Sequence, residues 1–148
     1  MQHSVRWVSV VPIVVGLPLA ACNHEASHSQ HEAPAHVEHI EGTNVSKVML
    51  TDKAMERIDV QVSTVREQMM ARSRAMRKVV PYAAVLYDAD GSTWVYTRTE
   101  SNTFVRAAIT VDYIDGDVAV LSEGPPLGTE VVTVGGMELF GTEFEVGH

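Results

Sequence analysis

The chain has 148 residues and a formal net charge of −8 at neutral pH, and this length suits one modest domain plus its terminal segments. Apolar residues make up 45% and charged residues 20% of the sequence, so most of the chain can bury enough surface to offset the entropy lost on folding. The acidic balance argues against nucleic acid as a partner, because no run of Lys or Arg is longer than a pair and the phosphate backbone would be repelled.

The N-terminus is typical of an export signal. One cation, Arg6, precedes an apolar run over residues 8–19, which is too short to span a bilayer core of about 30 Å comfortably. The run ends in Leu19-Ala20-Ala21-Cys22, which resembles the lipobox of bacterial lipoproteins. The resemblance implies that residues 1–21 are a signal peptide and that Cys22 takes a lipid. An ordinary secretory signal and an uncleaved anchor are the alternatives.

Cys22 is the only cysteine of the chain, so no disulfide can form within it. Acyl chains on this residue would give stable anchoring to a membrane. The predicted location is therefore extracytoplasmic, as a membrane-anchored lipoprotein on the periplasmic face of a Gram-negative cell. Whether the anchor lies in the inner or the outer membrane is left open.

Residues 22–42 are polar and rich in histidine, and we predict that they form a flexible, disordered tether. Its histidines are His24, His28, His31, His36 and His39. In a helix the first three would share a face and the last two would pair one turn further on, which would suit weak Zn or Cu(II) binding. Because a flexible segment has no preformed geometry, we prefer the solvated tether and expect no cofactor.

The next elements are predicted to be a strand, a short helix and a strand. Residues 45–50 are rich in β-branched and apolar side chains. Thr51 then offers an N-cap for a helix over residues 52–57. Residues 58–65 place valines with period two, which indicates a half-buried strand. Residues 66–78 carry three methionines and five cations, and we favour a basic strand or loop there over a membrane-surface or partner-docking helix.

From residue 80 onward the sequence predicts β-structure. Turn residues such as Asp88-Ala89-Asp90-Gly91 and Asp115-Gly116-Asp117 separate β-branched runs at intervals of roughly ten residues. The predicted strands cover residues 80–86, 93–97, 104–113, 118–121 and 130–134. Residues 135–148 are predicted to form one helical turn or to pack down. We therefore predict an all-β fold, a small β-barrel or β-roll with one short helix near 52–57.

Several spaced motifs resemble one known family. They are Val80-Pro81, Thr93-Trp94-Val95-Tyr96, Phe104-Val105-Arg106, Ile109-Thr110-Val111, Gly116-Asp117-Val118-Ala119-Val120 and Gly124-Pro125-Pro126-Leu127-Gly128 with the strand that follows. This pattern is similar to the membrane-proximal domain of periplasmic adaptor subunits, the membrane fusion proteins of RND-type efflux pumps. The resemblance implies a truncated adaptor, in which residues 43–79 are a barrel-like strand-helix-strand remnant and residues 80–148 the membrane-proximal-like β-domain. The family's long helical hairpin has no counterpart in the chain.

No motif of an enzyme is recognisable in the sequence. A Ser-His-Asp elbow, a phosphate-binding P-loop and an H-E-x-x-H helix are all missing. We therefore predict protein-protein contact in transmembrane efflux, with an RND-type transporter, other efflux subunits or further copies of the chain as partners. The apolar residues Met137, Leu139 and Phe140 are the predicted contact. The alternative is a metal-sequestering lipoprotein that uses the histidine-rich tether.

Overall fold

The computed structural model describes residues 33–145, which belong to one compact unit. The predictions made for residues 1–32 lie outside the described residues. They are the signal peptide, the lipid on Cys22, the first part of the tether and the candidate ligands His24, His28 and His31.

The described residues form ten strands and two α-helices. The strands are β1 (Ala35–His39), β2 (Ser46–Leu50), β3 (Gln61–Thr64), β4 (Arg66–Met70), β5 (Ala75–Pro81), β6 (Leu86–Tyr87), β7 (Thr93–Glu100), β8 (Thr103–Asp115), β9 (Val118–Glu123) and β10 (Glu130–Val134). The helices are α1 (Asp52–Arg57) and α2 (Gly136–Glu145), and a 3₁₀ turn covers Tyr82–Ala84. The all-β prediction is confirmed, and α1 has the predicted bounds, with the Thr51 hydroxyl accepting a hydrogen bond from the Ala54 amide.

All the strands pair antiparallel in one curled sheet that resembles half a barrel. Its main path runs β3-β10-β7-β8-β9-β5-β4. The long strand β8 connects the two parts of the sheet, because its first half pairs with β7 and β2 and its second half with β9. Where β8 passes from one part of the sheet to the other, its pairing with β9 shifts register twice between Thr110 and Tyr113. Such shifts are expected where a strand bends at a bulge.

The two ends of the sheet path are joined by a single residue. Val65 follows β3 and precedes β4, and it is almost fully buried. Its amide donates to the Thr129 carbonyl and its carbonyl accepts from the Gly128 amide, each at 2.8 Å. The loop after β9 therefore fixes the point at which the chain passes from one end of the sheet to the other.

Successive side chains of a strand point to opposite faces of the sheet, so the two faces pack into different cores. On β7, Val95 joins one core, while Trp94 and Tyr96 join the other. The first core contains Val65, Val80, Val95, Ile109, Ala119, Leu121 and Val131. The second core lies against both helices and contains Val48, Leu50, Ala54, Tyr96, Phe104, Val132 and Leu139. A smaller cluster around Met70 and Val79 supports the β4–β5 hairpin.

Two predictions about the ends of the chain need correction. The flexible tether was predicted as far as residue 42, but residues 35–39 form β1, which pairs with β2. The reason is that Ala35 and Val37 share one face of the strand and pack against the second core. At the other end, residues 135–148 were given one helical turn at most, whereas α2 has ten residues.

The middle of the chain agrees with the preferred interpretation of its basic segment. Residues 66–78 form β4, a turn and most of β5, so a strand rather than a helix carries the cations. The boundary predicted between residues 79 and 80 lies inside β5. Strands from the two sides of that boundary pair with each other, as β3 does with β10, and β5 itself crosses the boundary and pairs with β9.

Candidate interaction surface

The two described histidines of the predicted metal segment do not come together. His36 and His39 are both exposed on β1, and residues three apart on a strand point to opposite faces. The pairing predicted for a helix is therefore wrong for these two. Within residues 33–145, no group of three or more His, Cys, Asp or Glu side chains is placed to hold a metal ion.

No described helix has the length and apolar character needed to cross a membrane.

A shallow groove of about 480 Å³ lies beside β7 and β8. Its lining includes Tyr87, Thr93, Trp94, Ile109 and Thr110. None of its lining residues has a carboxylate, imidazole, amine or thiol, and its side-chain hydroxyls are those of Tyr87, Ser92, Thr93 and Thr110.

Helix α2 is seated on the sheet by Leu139, whose side chain is 0% exposed and lies in the second core. The helix begins directly after Gly135, which has a φ of +90°. A Cβ on Gly135 would lie 3.3 Å from Val60 and 3.4 Å from Ile58. Glycine thus allows both the turn and the close approach. The predicted partner contact is wrong for Leu139, because a fully buried side chain cannot touch another protein.

A second anchor of α2 is the buried carboxylate of Glu143, whose side chain is 3% exposed. One of its oxygens accepts hydrogen bonds from the Tyr96 hydroxyl at 2.5 Å and from Nε of Arg106 at 3.1 Å. The other oxygen accepts from the Ser46 amide at 3.0 Å. Tyr96 and Arg106 are directly opposite each other on β7 and β8, so the sheet register presents both donors to a single residue of the helix.

The Arg106 guanidinium is as buried as its partner, with 3% of the side chain exposed. It donates to the Asn44 carbonyl at 3.1 Å and lies 3.6 Å from the Asp88 carboxylate. It also lies over the Trp94 ring at 4.3 Å and 5.1 Å from the centre of the Phe144 ring. Such contacts compensate a buried cation by ion pairing, hydrogen bonds and cation–π attraction.

The Tyr96 phenol is held in its neutral form. Burial is the main cause that raises its pKa above the usual value, and the hydrogen bond to the Glu143 carboxylate raises it further. The hydroxyl therefore remains a donor to Glu143 at neutral pH. The Arg106 and Glu143 side chains are each only 3% exposed, so the ion pair at the centre of this network is shielded from solvent.

One flank of α2 carries apolar residues that the described part of the chain covers only in part, since Phe140 packs against the second core and the Arg106 guanidinium lies 5.1 Å from the centre of the Phe144 ring. Met137 is 64% exposed, Phe144 is 44% exposed and Phe140 is half-buried. Their spacing of three and four residues places them on one helix face, and the Phe140 and Phe144 rings lie 4.6 Å apart. We call these three residues the α2 stripe. It includes two of the predicted contact residues, Met137 and Phe140.

Sequence reasoning missed Phe144 and the network beneath it. Phe144 could have been found, since it repeats Phe140 at helical spacing. Arg106 could also have been predicted to be buried, because it points to the same face of its strand as Phe104, which is fully buried. The burial of Glu143 could not have been predicted from local sequence, because its partner Arg106 lies 37 residues away in the chain.

The resemblance to efflux adaptors finds no support outside the chain itself. It therefore stays a prediction. No family model, no curated protein and no solved structure matches this chain.

Proposed function

We propose that the chain is a lipid-anchored extracytoplasmic β-module that acts by protein-protein contact in transmembrane efflux. Its predicted partners are an RND-type transporter, other efflux subunits or a second copy of the chain. The observation that carries the proposal is the α2 stripe, an apolar helix face on a rigid support. Apolar and aromatic residues of this kind are enriched at the centres of protein interfaces.

The contacts that anchor α2 to the sheet are consistent with a binding surface of fixed position. Leu139 fills the second core, and Glu143 is bound by donors from β2, β7 and β8. A helix fixed by apolar packing and a buried ion pair holds the backbone that carries Met137 and Phe144 in one position. A preorganised surface loses less entropy when a partner binds.

The membrane location in the proposal rests on the lipobox-like sequence that ends in Cys22. Attachment there would leave only a short polar segment between the bilayer and β1. The proposal assigns no catalytic step, and its prediction of a non-enzymatic role rests on the lack of catalytic motifs in the sequence.

The test is photocrosslinking from the α2 stripe in intact membranes. A photoreactive amino acid replaces Met137 in the full chain, and a matched variant carries it at Leu127, which is similarly exposed in the loop after β9. We expect a specific product from position 137, either with a transporter subunit or with a second copy. The same products from both positions, or none from position 137, would contradict the proposal.

The histidine content favours one alternative function, the capture of Zn or Cu(II) by the N-terminal segment. Five histidines fall within residues 24–39, and imidazole is a good ligand for both metals. Calorimetric titration of the full chain and of a variant with all five histidines replaced by Gln separates the two functions. Submicromolar binding that the variant loses supports metal capture, and equal heats in both chains exclude it.

A further inference from the structure

The β4–β5 hairpin has features that the proposed protein contact does not use. We call residues 66–78 the basic hairpin. Met69 and Met76 are directly paired across its two strands and are 61% and 50% exposed. The turn between the strands, residues 71–74, is exposed throughout. An uncovered apolar pair therefore lies next to the turn of the hairpin.

The basic hairpin also concentrates positive charge. Five of the eleven Lys and Arg residues of the chain fall in these thirteen positions, with one acidic residue, Glu67, among them. The chain as a whole has a formal charge of −8, so this element differs in sign from the remainder. Among the described residues, only Arg77 of the five forms an ion pair, at 2.8 Å from Asp112.

The base of the basic hairpin packs against the sheet, whereas its turn is exposed. Met70 and Val79 are buried against β9 in the third apolar cluster, and Nζ of Lys78 donates to the Gly124 carbonyl at 3.1 Å. Arg72 lies over the Tyr113 ring at 4.6 Å. Packing on one face thus leaves Met69 and Met76 exposed on the other face. The adjoining turn carries Arg74 and Arg72, and the Arg72 guanidinium lies towards Tyr113 on the packed face.

We infer that the basic hairpin binds the surface of a bilayer that contains anionic lipids. Arginine heads would lie at the phosphates, and the two methionine side chains would enter the region just below them, which is how mixed basic and apolar segments bind membrane interfaces. Nucleic acid would contact the cations but leave the apolar pair without a partner. An acidic protein surface is the other occupant that the charge would allow, and the test below separates it.

The length of the chain before β1 makes this contact possible. Residues 22–34 precede β1 and can span at most about 47 Å, at 3.3–3.6 Å per residue. This step rests on the lipid at Cys22 in the proposed function. A tether of that length allows the basic hairpin to reach the headgroups, where a surface charge attracts cations within about one Debye length of roughly 10 Å.

The experiment uses the full acylated chain in vesicles. Because Cys22 is the only cysteine and carries the lipid, the variant Met76→Cys has one free thiol for a polarity-sensitive fluorophore. In vesicles with phosphatidylglycerol we expect a blue shift of its emission and quenching by spin-labelled lipids. In pure phosphatidylcholine vesicles we expect neither. The control Leu127→Cys should report water in both.

A charge test uses matched pairs of substitutions. Arg72→Glu with Arg74→Glu should abolish the shift at position 76, whereas Lys53→Glu with Arg57→Glu, the same charge change on α1, should leave it. A fluorophore that stays in water on phosphatidylglycerol overturns the inference, and this is the outcome expected if the true occupant is an acidic protein. An equal shift on both lipids also overturns it, because the charges would then have no part.

Mass spectrometry of the same sample shows whether Cys22 is acylated, so a missing anchor is distinguished from a hairpin that does not bind. If the anchor is missing, the chain with Cys22→Ser and Met76→Cys is added to vesicles from solution at increasing lipid concentration. The inference still requires a blue shift that depends on phosphatidylglycerol and on Arg72 and Arg74.

Discussion

The support of α2 and the basic hairpin use arginine in opposite ways. Arg106 is buried with its charge balanced by Glu143, by nearby oxygens and by aromatic rings. Arg72 and Arg74 are exposed at a turn and form no ion pair within the described residues. A compensated buried cation fixes one arrangement of the chain, whereas an exposed cation without a counter-charge can attract an anionic surface outside it. The support of α2 therefore stabilises the fold, whereas the basic hairpin is available for binding.

Removal of Glu143 should cause the largest loss of stability. Glu143→Ala leaves Arg106 buried without its main counter-charge, and it also deprives the Tyr96 hydroxyl and the Ser46 amide of their acceptor. We expect the free energy of unfolding to fall by about 3–5 kcal/mol, measured by urea denaturation.

The control for Glu143 is the half-exposed pair of Arg98 and Glu130, joined by hydrogen bonds of 2.8 and 2.9 Å. Glu130→Ala should cost no more than about 1 kcal/mol, because water solvates the charges that remain. Equal losses from the two substitutions would contradict the buried role of Glu143.

The two sides of α2 should respond differently to truncation. Leu139→Ala removes a side chain with 0% exposure and should lower the free energy of unfolding by about 2–5 kcal/mol through the cavity that it leaves. Met137→Ala, two residues away on the exposed side, should change it by less than about 0.5 kcal/mol. Thermal unfolding of both variants measures this. A large loss from Met137→Ala would show that the α2 stripe belongs to the core.

Tyr96→Phe should have an intermediate effect. The hydroxyl is a buried donor to Glu143, so its loss should lower the free energy of unfolding by about 1–3 kcal/mol at neutral pH.

The same substitution should change the pH dependence of stability. The folded-state pKa of Tyr96 is raised above the ordinary value of 10.0, so its contribution is complete below pH 10 and falls as the pH rises above 10, where the unfolded chain ionises first. The wild type should lose stability more steeply than Tyr96→Phe above pH 10, as urea denaturation over a pH series would measure. Parallel curves for the two chains would refute this.

The smallest expected effect is a gain at the turn of the basic hairpin. Arg74 has a φ of +50°, a left-handed conformation that costs a side chain with a Cβ roughly 1 kcal/mol. Arg74→Gly should raise the free energy of unfolding by about 0.5–1 kcal/mol, seen as a higher midpoint in urea. A loss of stability would mean that the Arg74 side chain has a structural contact of its own.

Most of the strands could be predicted because their signals are local. The bounds of α1 and β10 agree with the sequence pattern, and the turns at residues 88–91 and 115–117 lie where Asp and Gly predicted them. Strand β1 was missed because only two of its side chains are apolar and its partner β2 supplies the rest of the stabilisation. The length of α2 was missed because Gly136 and Gly141 weaken its local helical signal.

The sequence by itself determined that this is a β-rich chain with one early helix, a histidine-rich N-terminal segment, a single cysteine and a basic segment at residues 66–78. Only the tertiary structure decided that Arg106 and Glu143 meet, that Leu139 is internal while Met137 is exposed, and that Met69 and Met76 form a pair. The physical reason is range: hydrophobic periodicity and turn chemistry act over a few residues, whereas burial and charge compensation depend on contacts between strands and helices far apart in the chain.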